Sequence, residues 1–500
     1  MATPGTSKTP ADNAISPDAL TLVFGASGYI GSNLVPRLLD RGIRVRACSR
    51  TLSVLEARGW TGAELVPADA LKPETLGPAL KDVQIAYYLV HSMGAGKSFG
   101  RLDLEAARNF AQAAAEAGVR RIVYLGGLAP ASARSEHIVS RRLTGDELRK
   151  GSVPVTELRA GIIVGPGSAA FEVMRDLVLH LPVMVTPKWV SRMSPPIALD
   201  NLLDYLERAP RIPEAAGEIL DTGGPEYLTY ADMMRTLAEE AGRRPPRIVP
   251  VPLLSPKLSS YWLRLVTSVP TAIAQALIEG LKEDYVADDV RTRSLMPQDL
   301  MDFRTAVRAT FAAEQSHAVA ARWTEGAFMF RDYRVDYAYY AKRACGSALA
   351  RATPTQVWEV VSRIGGENRY FAYETLWKLR EGIDWLLGGP GRNYGRRHPT
   401  ELRLGDMVDS WRVMAIEQER RLTLGFGMRA PGAGVLEIEL MPEDQGTRIT
   451  VTNYWHPAGV WGLLYWYLMA PAHAFVFKGL AEGIARRAET VPSLDPSGGV

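Results

Sequence analysis

The sequence is poor in cysteine and has little excess charge of either sign. Cys48 and Cys345 are the only two thiols in 500 residues. They offer neither a disulfide framework nor a metal-ligand cluster, so no metal site is expected, and a reducing, cytoplasmic setting is the simplest reading. Lys and Arg total 58 against 55 Asp and Glu, a net charge of +3. That balance gives no basic surplus of the kind a nucleic-acid partner needs. Residues Met1–Asp18 are rich in Ala, Thr, Pro, Ser and Asn and lack an apolar segment. They predict a disordered tail rather than a signal peptide. One charge-free stretch stands out: no Asp, Glu, Lys or Arg occurs between Arg448 and Lys478. Its second half, Gly459–Phe477, is nineteen apolar-leaning residues and approaches the length of a membrane-spanning helix. Pro471 and His473 interrupt it, and a strand-like run, Ile449–Trp455, leads into it. A buried or interfacial helix is therefore expected, and the interfacial form would give peripheral contact with a membrane.

What is present is ordinary globular composition, 47% hydrophobic and 23% charged. At roughly 150 residues per domain, this length predicts two to four domains. Residues 1–19 and 491–500 read as tails, 20–338 as one domain and 339–490 as another. In the first, TLVFG, VRACS, AELVPA, QIAYYLV, RIVYLGG and VPVTELRAG read as strands separated by helical patterns. Such alternation predicts an α/β fold, a doubly wound parallel sheet with helices on both faces. From about residue 165 the pattern is more helical, with Pro-rich joints. From Ala344 it changes again. CGSALARA reads as a strand, Thr353 and Pro354 cap a helix, and SWRVMAIE, RRLTLGF, VLEIELM and TRITVTNYW alternate as strands before a long aromatic helix. That order predicts an α+β module, an antiparallel sheet wrapped around its closing helix.

The strongest motif is Phe24-Gly25-Ala26-Ser27-Gly28-Tyr29-Ile30-Gly31, between the first strand and the first helix. Gly25 permits a tight turn, Gly28 lets a pyrophosphate approach the backbone, and Gly31 allows close helix–strand packing. With Ser27, Tyr29 and Ile30 they form a candidate dinucleotide loop at a helix N-terminus. An NAD site places Asp or Glu at the end of the second strand; this chain has Ser49 and Arg50. Arg50 suits a 2′-phosphate, so NADP(H) is favoured over NAD(H). Asp69, after the third strand, either reaches the adenine edge or caps the next turn.

These residues resemble the Rossmann-fold short-chain dehydrogenase/reductase superfamily, in its extended, atypical and NmrA-like branches. GASGYIG is similar to the nucleotide loop, VTELRAGIIVGPG to the sixth strand and its loop, and PPIALDNLLDYL to a later returning segment. The layout over about residues 20–320 resembles the YbjT-like proteins, and the C-terminal extension resembles the START/SRPBCC helix-grip fold. The resemblance implies a Ser-Tyr-Lys set, with Tyr exchanging the proton and Lys holding the nicotinamide ribose. The chain departs from it. The fifth strand ends in Gly126-Gly127 where the Ser is expected, and His137-Ile138-Val139-Ser140-Arg141 stands in the place of the Tyr-Lys motif. Two readings are open. His137 is an alternative proton donor with Arg141 fixing ribose or phosphate, or the fold binds NADP(H) as a sensor or scaffold for a protein partner. His91, ending the fourth strand, falls at the carboxyl edge of the sheet and is a third candidate.

Seventeen aromatic residues crowd the last 150 positions, among them Trp377, Trp411, Phe426, Trp455, Trp461 and Tyr465. They fill a core or line a pocket for an apolar small molecule. The charges interleaved with them, Arg380, Asp384, Arg396, Arg397, Asp406, Asp409 and Arg412, read either as an exposed ion-pair network or as a ligand anchor. By period two, Asp409 and Trp411 share one face of a strand and Arg412 points the other way. The expected activity is NADPH-dependent reduction of an apolar compound such as a quinone, isoprenoid or enone.

Overall fold

The computed structural model describes residues 15–16, 18–56, 58–90, 99–130, 136–186, 188–250, 284–315, 341–386, 396 and 398–490. These fall into two compact units. One holds the described residues up to 315, and the other those from 341 on, together with Leu179–Leu181. The two predicted tails lie outside the described residues, apart from a few at their inner ends.

The first unit is built on seven parallel strands. They are β1 (Leu20–Phe24), β2 (Val45–Ser49), β3 (Glu64–Pro67), β4 (Val83–Tyr88), β5 (Arg121–Gly127), β6 (Val155–Ala160) and, later in the chain, Ile219–Thr222. The spatial order is Ile219–Thr222, then β6-β5-β4-β1-β2-β3. β1 is Leu-Thr-Leu-Val-Phe with every residue buried, as a strand covered on both faces requires. Leu22 and Phe24 pack on one face with Tyr88, Phe110 and Leu148. Val23 packs on the other with Leu34, Leu38, Leu202 and Leu206. The helices α1 (Tyr29–Asp40), α2 (Leu52–Glu56), α3 (Leu76–Leu80), α4 (Phe99–Glu116) and α5 (Glu136–Arg149) lie between the strands in sequence. The strand order reverses between β1 and β4, which opens a crevice at their carboxyl ends.

The more helical region holds α6 (Ala169–His180), α7 (Leu199–Arg208), α8 (Tyr230–Glu240), α9 (Val290–Leu295) and α10 (Phe303–Gln315). Short strand pairs tie it together. β7 (Ile163–Val164) pairs with β10 (Ile197–Ala198), β8 (Val183–Thr186) with β13 (Arg247–Pro250), and β9 (Met193–Ser194) with β12 (Leu228–Thr229); the main-sheet strand Ile219–Thr222 is β11. Within it, Arg175 on α6 is fully buried and donates to both carboxylate oxygens of Glu314 on α10, 2.8 Å each. It also pairs with Glu172, one turn earlier. Burial pushes the Glu172 carboxyl well above its ordinary range, against the pull of Arg175.

The second unit is an antiparallel sheet of β14 (Lys342–Ala350), β15 (Met407–Val408), β16 (Trp411–Glu417), β17 (Arg421–Phe426), β18 (Gly432–Glu443) and β19 (Gly446–Pro457), ordered β14-β19-β18-β17-β16-β15. The helices are α11 (Pro354–Val361), α12 (Glu374–Leu386) and the thirty-residue α13 (Gly459–Ala488). This is a helix-grip architecture. Thr353 and Gln356 form a reciprocal capping box at the start of α11, with Pro354 in the first turn. The second half of α13 enters the core through Phe477, Leu480, Ala481 and Ile484. The helix also exposes Trp461, Leu464, Leu468 and Phe475, a stripe at helical spacing.

One expectation is corrected here. Asp409 is not in a strand with Trp411: it sits between β15 and β16 with φ 52° and is buried. Its carboxylate accepts from the Tyr370 hydroxyl at 3.1 Å and from the Gly366 amide, so it belongs to no exposed ion-pair network. Trp411 does point inward and Arg412 outward. The helix α12 was not among the expected elements. Its buried side carries Arg380 and Glu381 while Leu376 and Leu379 are exposed, the reverse of an amphipathic pattern.

His473 on α13 lies between Trp466 and Phe477, with ring centroids 4.7 and 5.5 Å away. Burial lowers its pKa from 6.5 to about 4. Because the folded value is depressed, the contribution is complete above about pH 6.5 and is lost as pH falls toward 4. The full window corresponds to about 3 kcal/mol. His473→Phe is expected to flatten the dependence of the urea midpoint between these pH values; an unchanged slope would remove His473 as its source.

Candidate functional site

The crevice edge is assembled by local rules. Gly25 ends β1 with φ +95°, and a Cβ there would lie 3.0 Å from the Leu89 backbone. The Gly25 and Ala26 amides donate to the Cys48 carbonyl at 3.0 and 2.9 Å, which locks the turn onto β2. Gly28 is the N-cap of α1, extended at φ −76° and ψ 170°, with no side-chain cap and no acid in the first turn. The first amides of a helix have no intrahelical acceptor. Here the uncapped, acid-free terminus leaves them and the positive end of the dipole for an anion. At Gly31 a Cβ would lie 2.5 Å from the Gly25 carbonyl oxygen, so the helix and turn touch backbone to backbone. Ser27, Tyr29 and Ile30 lie in the same turn, and Ser32 ties it down by donating to the Ala26 carbonyl.

The neighbouring strand ends supply the rest. Arg50 follows β2, is exposed, and makes no ion pair among the described residues. Ser49 is buried and donates to the Thr51 carbonyl, so no acid stands at this strand end. Of the two roles open to Asp69, one oxygen takes the turn: it accepts from the Leu71 amide at 3.0 Å. The cradle fits the pyrophosphate of a dinucleotide.

The region of the missing Ser-Tyr-Lys set is different. His91 lies outside the described residues, and so does the side chain of His137, although His137 falls in the first turn of α5. Arg141, one turn later, donates to the Leu125 carbonyl at 2.9 Å, and its own carbonyl accepts from the Tyr124 hydroxyl at 2.8 Å. Burial raises Tyr124 to about 12, which keeps that hydroxyl protonated. Its proton is held by Arg141 and is not offered to the crevice. The glycine at the end of β5 has a steric reason: a Cβ on Gly126 would lie 2.7 Å from Glu157 Oε1, and one on Gly145 2.6 Å from Glu157 Oε2. Two glycines on neighbouring elements make room for a buried carboxylate, which Arg149 and Arg159 neutralise. The sequence reading missed Glu157. A carboxylate in the interior strand VTELRA, with Arg149 before it and Arg159 two residues after it, was the available signal.

Residues 25–146 match the NAD(P)H-binding family, and residues 336–480 match a family described as a protein of unknown function. Among curated proteins, the chain is similar to a ceramide reductase of Caulobacter vibrioides, 26% identical over 235 residues, which cover 46% of this chain and 73% of that one. It is also similar to sterol demethylase protein B of Methylococcus capsulatus, 32% identical over 126 residues, covering 23% of this chain and 38% of that one. An NADPH-dependent quinone oxidoreductase of Escherichia coli, solved with NADPH, overlaps with a TM-score of 0.49 at 18% identity, covering 58% of this chain and 99% of that one. The first unit has the doubly wound parallel-sheet architecture of a Rossmann fold, and the NAD(P)H-binding match falls on its stretch from the glycine turn to α5.

Proposed function

We propose that the protein is a cytoplasmic NADPH-dependent reductase of an apolar carbonyl compound such as a quinone, isoprenoid or enone. The observation that carries this reading is the uncapped, acid-free start of α1 behind Gly25–Gly31, with Arg50 instead of a carboxylate at the end of β2. Gly25, Gly28, Gly31 and the first amides of α1 would hold the phosphates, and Arg50 the 2′-phosphate, stacking on adenine. Bound NADPH would supply a hydride. His137 would give the proton to the carbonyl oxygen, and Arg141, always cationic, would fix ribose or phosphate. Similarity to a ceramide reductase and a sterol demethylase protein supports an apolar substrate. A lipid surface is the natural source of one, and the exposed stripe of Trp461, Leu464, Leu468 and Phe475 suits contact with it. Absence of co-sedimentation with liposomes at low salt would refute that contact.

A second reading is favoured by one observation: Glu157 fills the space beside Gly126, and Tyr124 is committed to Arg141. A chain so built could bind NADP(H) as a sensor that regulates a partner. The two readings separate by anaerobic NADPH oxidation with and without an apolar extract of the host cells. The reductase predicts extract-dependent oxidation, abolished in His137→Ala with NADPH affinity unchanged. The sensor predicts tight binding and no oxidation. In either case Arg50→Asp is expected to weaken NADPH binding by roughly 10- to 100-fold, the value of a charge-assisted contact, and to spare NADH. Equal loss for both nucleotides would move the 2′-phosphate away from Arg50.

A further inference from the structure

The second unit holds a half-open cavity of about 170 Å³ between α12, α13 and the strands β16, β17 and β19. Its wall is aromatic and aliphatic apart from Asn453, His473 and Arg380, and among the described residues no Asp or Glu lines it. His473 in the wall is neutral at physiological pH, since burial holds it near 4. Among the described lining residues the one full charge is Arg380. That side chain is only 9% exposed, and among the described residues it has no carboxylate partner. Its Nε donates to the Tyr465 hydroxyl at 3.2 Å and Nη2 reaches the Arg429 carbonyl at 3.4 Å. The guanidinium stands 5.5 Å from the Phe426 ring centre and 5.8 Å from that of Tyr465.

The unmet polar atoms of these walls include a set of donors. Arg380 Nη1, Trp377 Nε1 and Trp455 Nε1 are buried and have no hydrogen-bond partner. The Tyr465 oxygen accepts from Arg380, and its own proton has no acceptor among the described residues. A buried cation without a counter-charge is costly, and donors left unmet add to the cost. A fold does not keep such a group in an apolar chamber for stability, because an apolar residue there would be as stable or more so. The missing component must carry negative charge and acceptor oxygens, and its remainder must be apolar. Size narrows it further: an apolar cavity of roughly 150 Å³ takes one benzene ring.

We infer that the second unit binds a small apolar monocarboxylate, about one ring in size, with its carboxylate on Arg380 and Tyr465 and its body against Trp377, Trp411 and Phe426. This site is independent of the proposed reductase chemistry, and its test does not depend on turnover.

The test uses the full-length protein with benzoate, toluene, benzylamine and inorganic phosphate as probes, followed by calorimetry and tryptophan fluorescence. Benzoate is expected to bind at least about 10-fold more tightly than toluene or benzylamine, and phosphate not at all, because one charge-assisted contact adds to ring burial. Arg380→Met should reduce benzoate affinity to that of toluene and leave toluene unchanged. It should also raise the ligand-free melting temperature, since the unpaired buried charge is gone. Tyr465→Phe, which preserves volume, should weaken benzoate by several-fold. The inference is overturned if toluene or benzylamine binds as well as benzoate, if phosphate alone competes, or if both variants keep wild-type benzoate affinity. If Arg380→Met does not fold, the probe ranking on the wild type and Tyr465→Phe decide the question.

Discussion

Gly28→Trp is expected to abolish NADPH binding while the protein stays folded, and Gly31→Ala is expected to do the reverse. Gly28 has φ −76° and ψ 170°, a conformation open to any residue, and a Cβ there would meet only the Gly25 carbonyl oxygen, at 3.2 Å. An indole at that position asks the Gly25 carbonyl to yield by only a few tenths of an ångström and stands at the mouth of the phosphate cradle. Losing two or more charge-assisted contacts costs about 3–6 kcal/mol, so Kd should rise by roughly 100-fold or more. At Gly31 the added methyl would lie 2.5 Å from the Gly25 oxygen and 2.7 Å from Ala26 Cα, both backbone atoms that cannot swing aside. Overpacking of that kind costs about 1–3 kcal/mol. The pair is read by fluorescence titration of NADPH beside urea unfolding. Wild-type NADPH affinity in folded Gly28→Trp would place the phosphates somewhere other than this turn.

Arg175→Met should be the most destabilising single change in the first unit. The guanidinium is buried with Glu172 and Glu314, and each carboxylate has given up water for it. Removing one partner of a buried ion pair typically costs about 3–5 kcal/mol, because the remaining charge stays uncompensated. The pH dependence has a definite sign. Burial has already raised the Glu172 carboxyl, so the folded state holds that proton more tightly than the unfolded chain. Such a group favours folding at low pH and opposes it as pH rises. Without Arg175 the opposition grows, so the defect should be larger at pH 8 than at pH 5. Adding Glu172→Gln and Glu314→Gln should recover much of it. A loss below about 1 kcal/mol at pH 8 would mean that the carboxylates find water or another cation.

Much of the first unit was legible in the sequence because its signals are local. β2 and β5 fall where VRACS and RIVYLGG place them, and α1 begins directly behind the glycine turn. A parallel strand buried on both faces is a continuous apolar run, and a turn that needs φ +95° selects glycine at Gly25 whatever surrounds it. The α11 capping box is equally local, a Thr-Pro pair and a Gln within one turn. By contrast, the roles at the end of β5 could not be read. Gly126 looks like a lost serine in the chain, and only the packing of β6 and α5 shows that Glu157 occupies the space a side chain would need.

The second unit marks the same boundary. Alternation in VLEIELM and TRITVTNYW determined the sheet, and the charge-free stretch determined a long closing helix, since periodicity and hydropathy belong to a segment taken alone. The spacing could not say that Asp409 turns inward to Tyr370, or that Arg380 is buried over Phe426 without a carboxylate while Leu379 beside it is exposed. Burial of a charge is decided by the elements that close over it. Here those are the strands and the helix that follow Arg380 by 31 to more than 80 residues, so its environment existed only once the chain had folded.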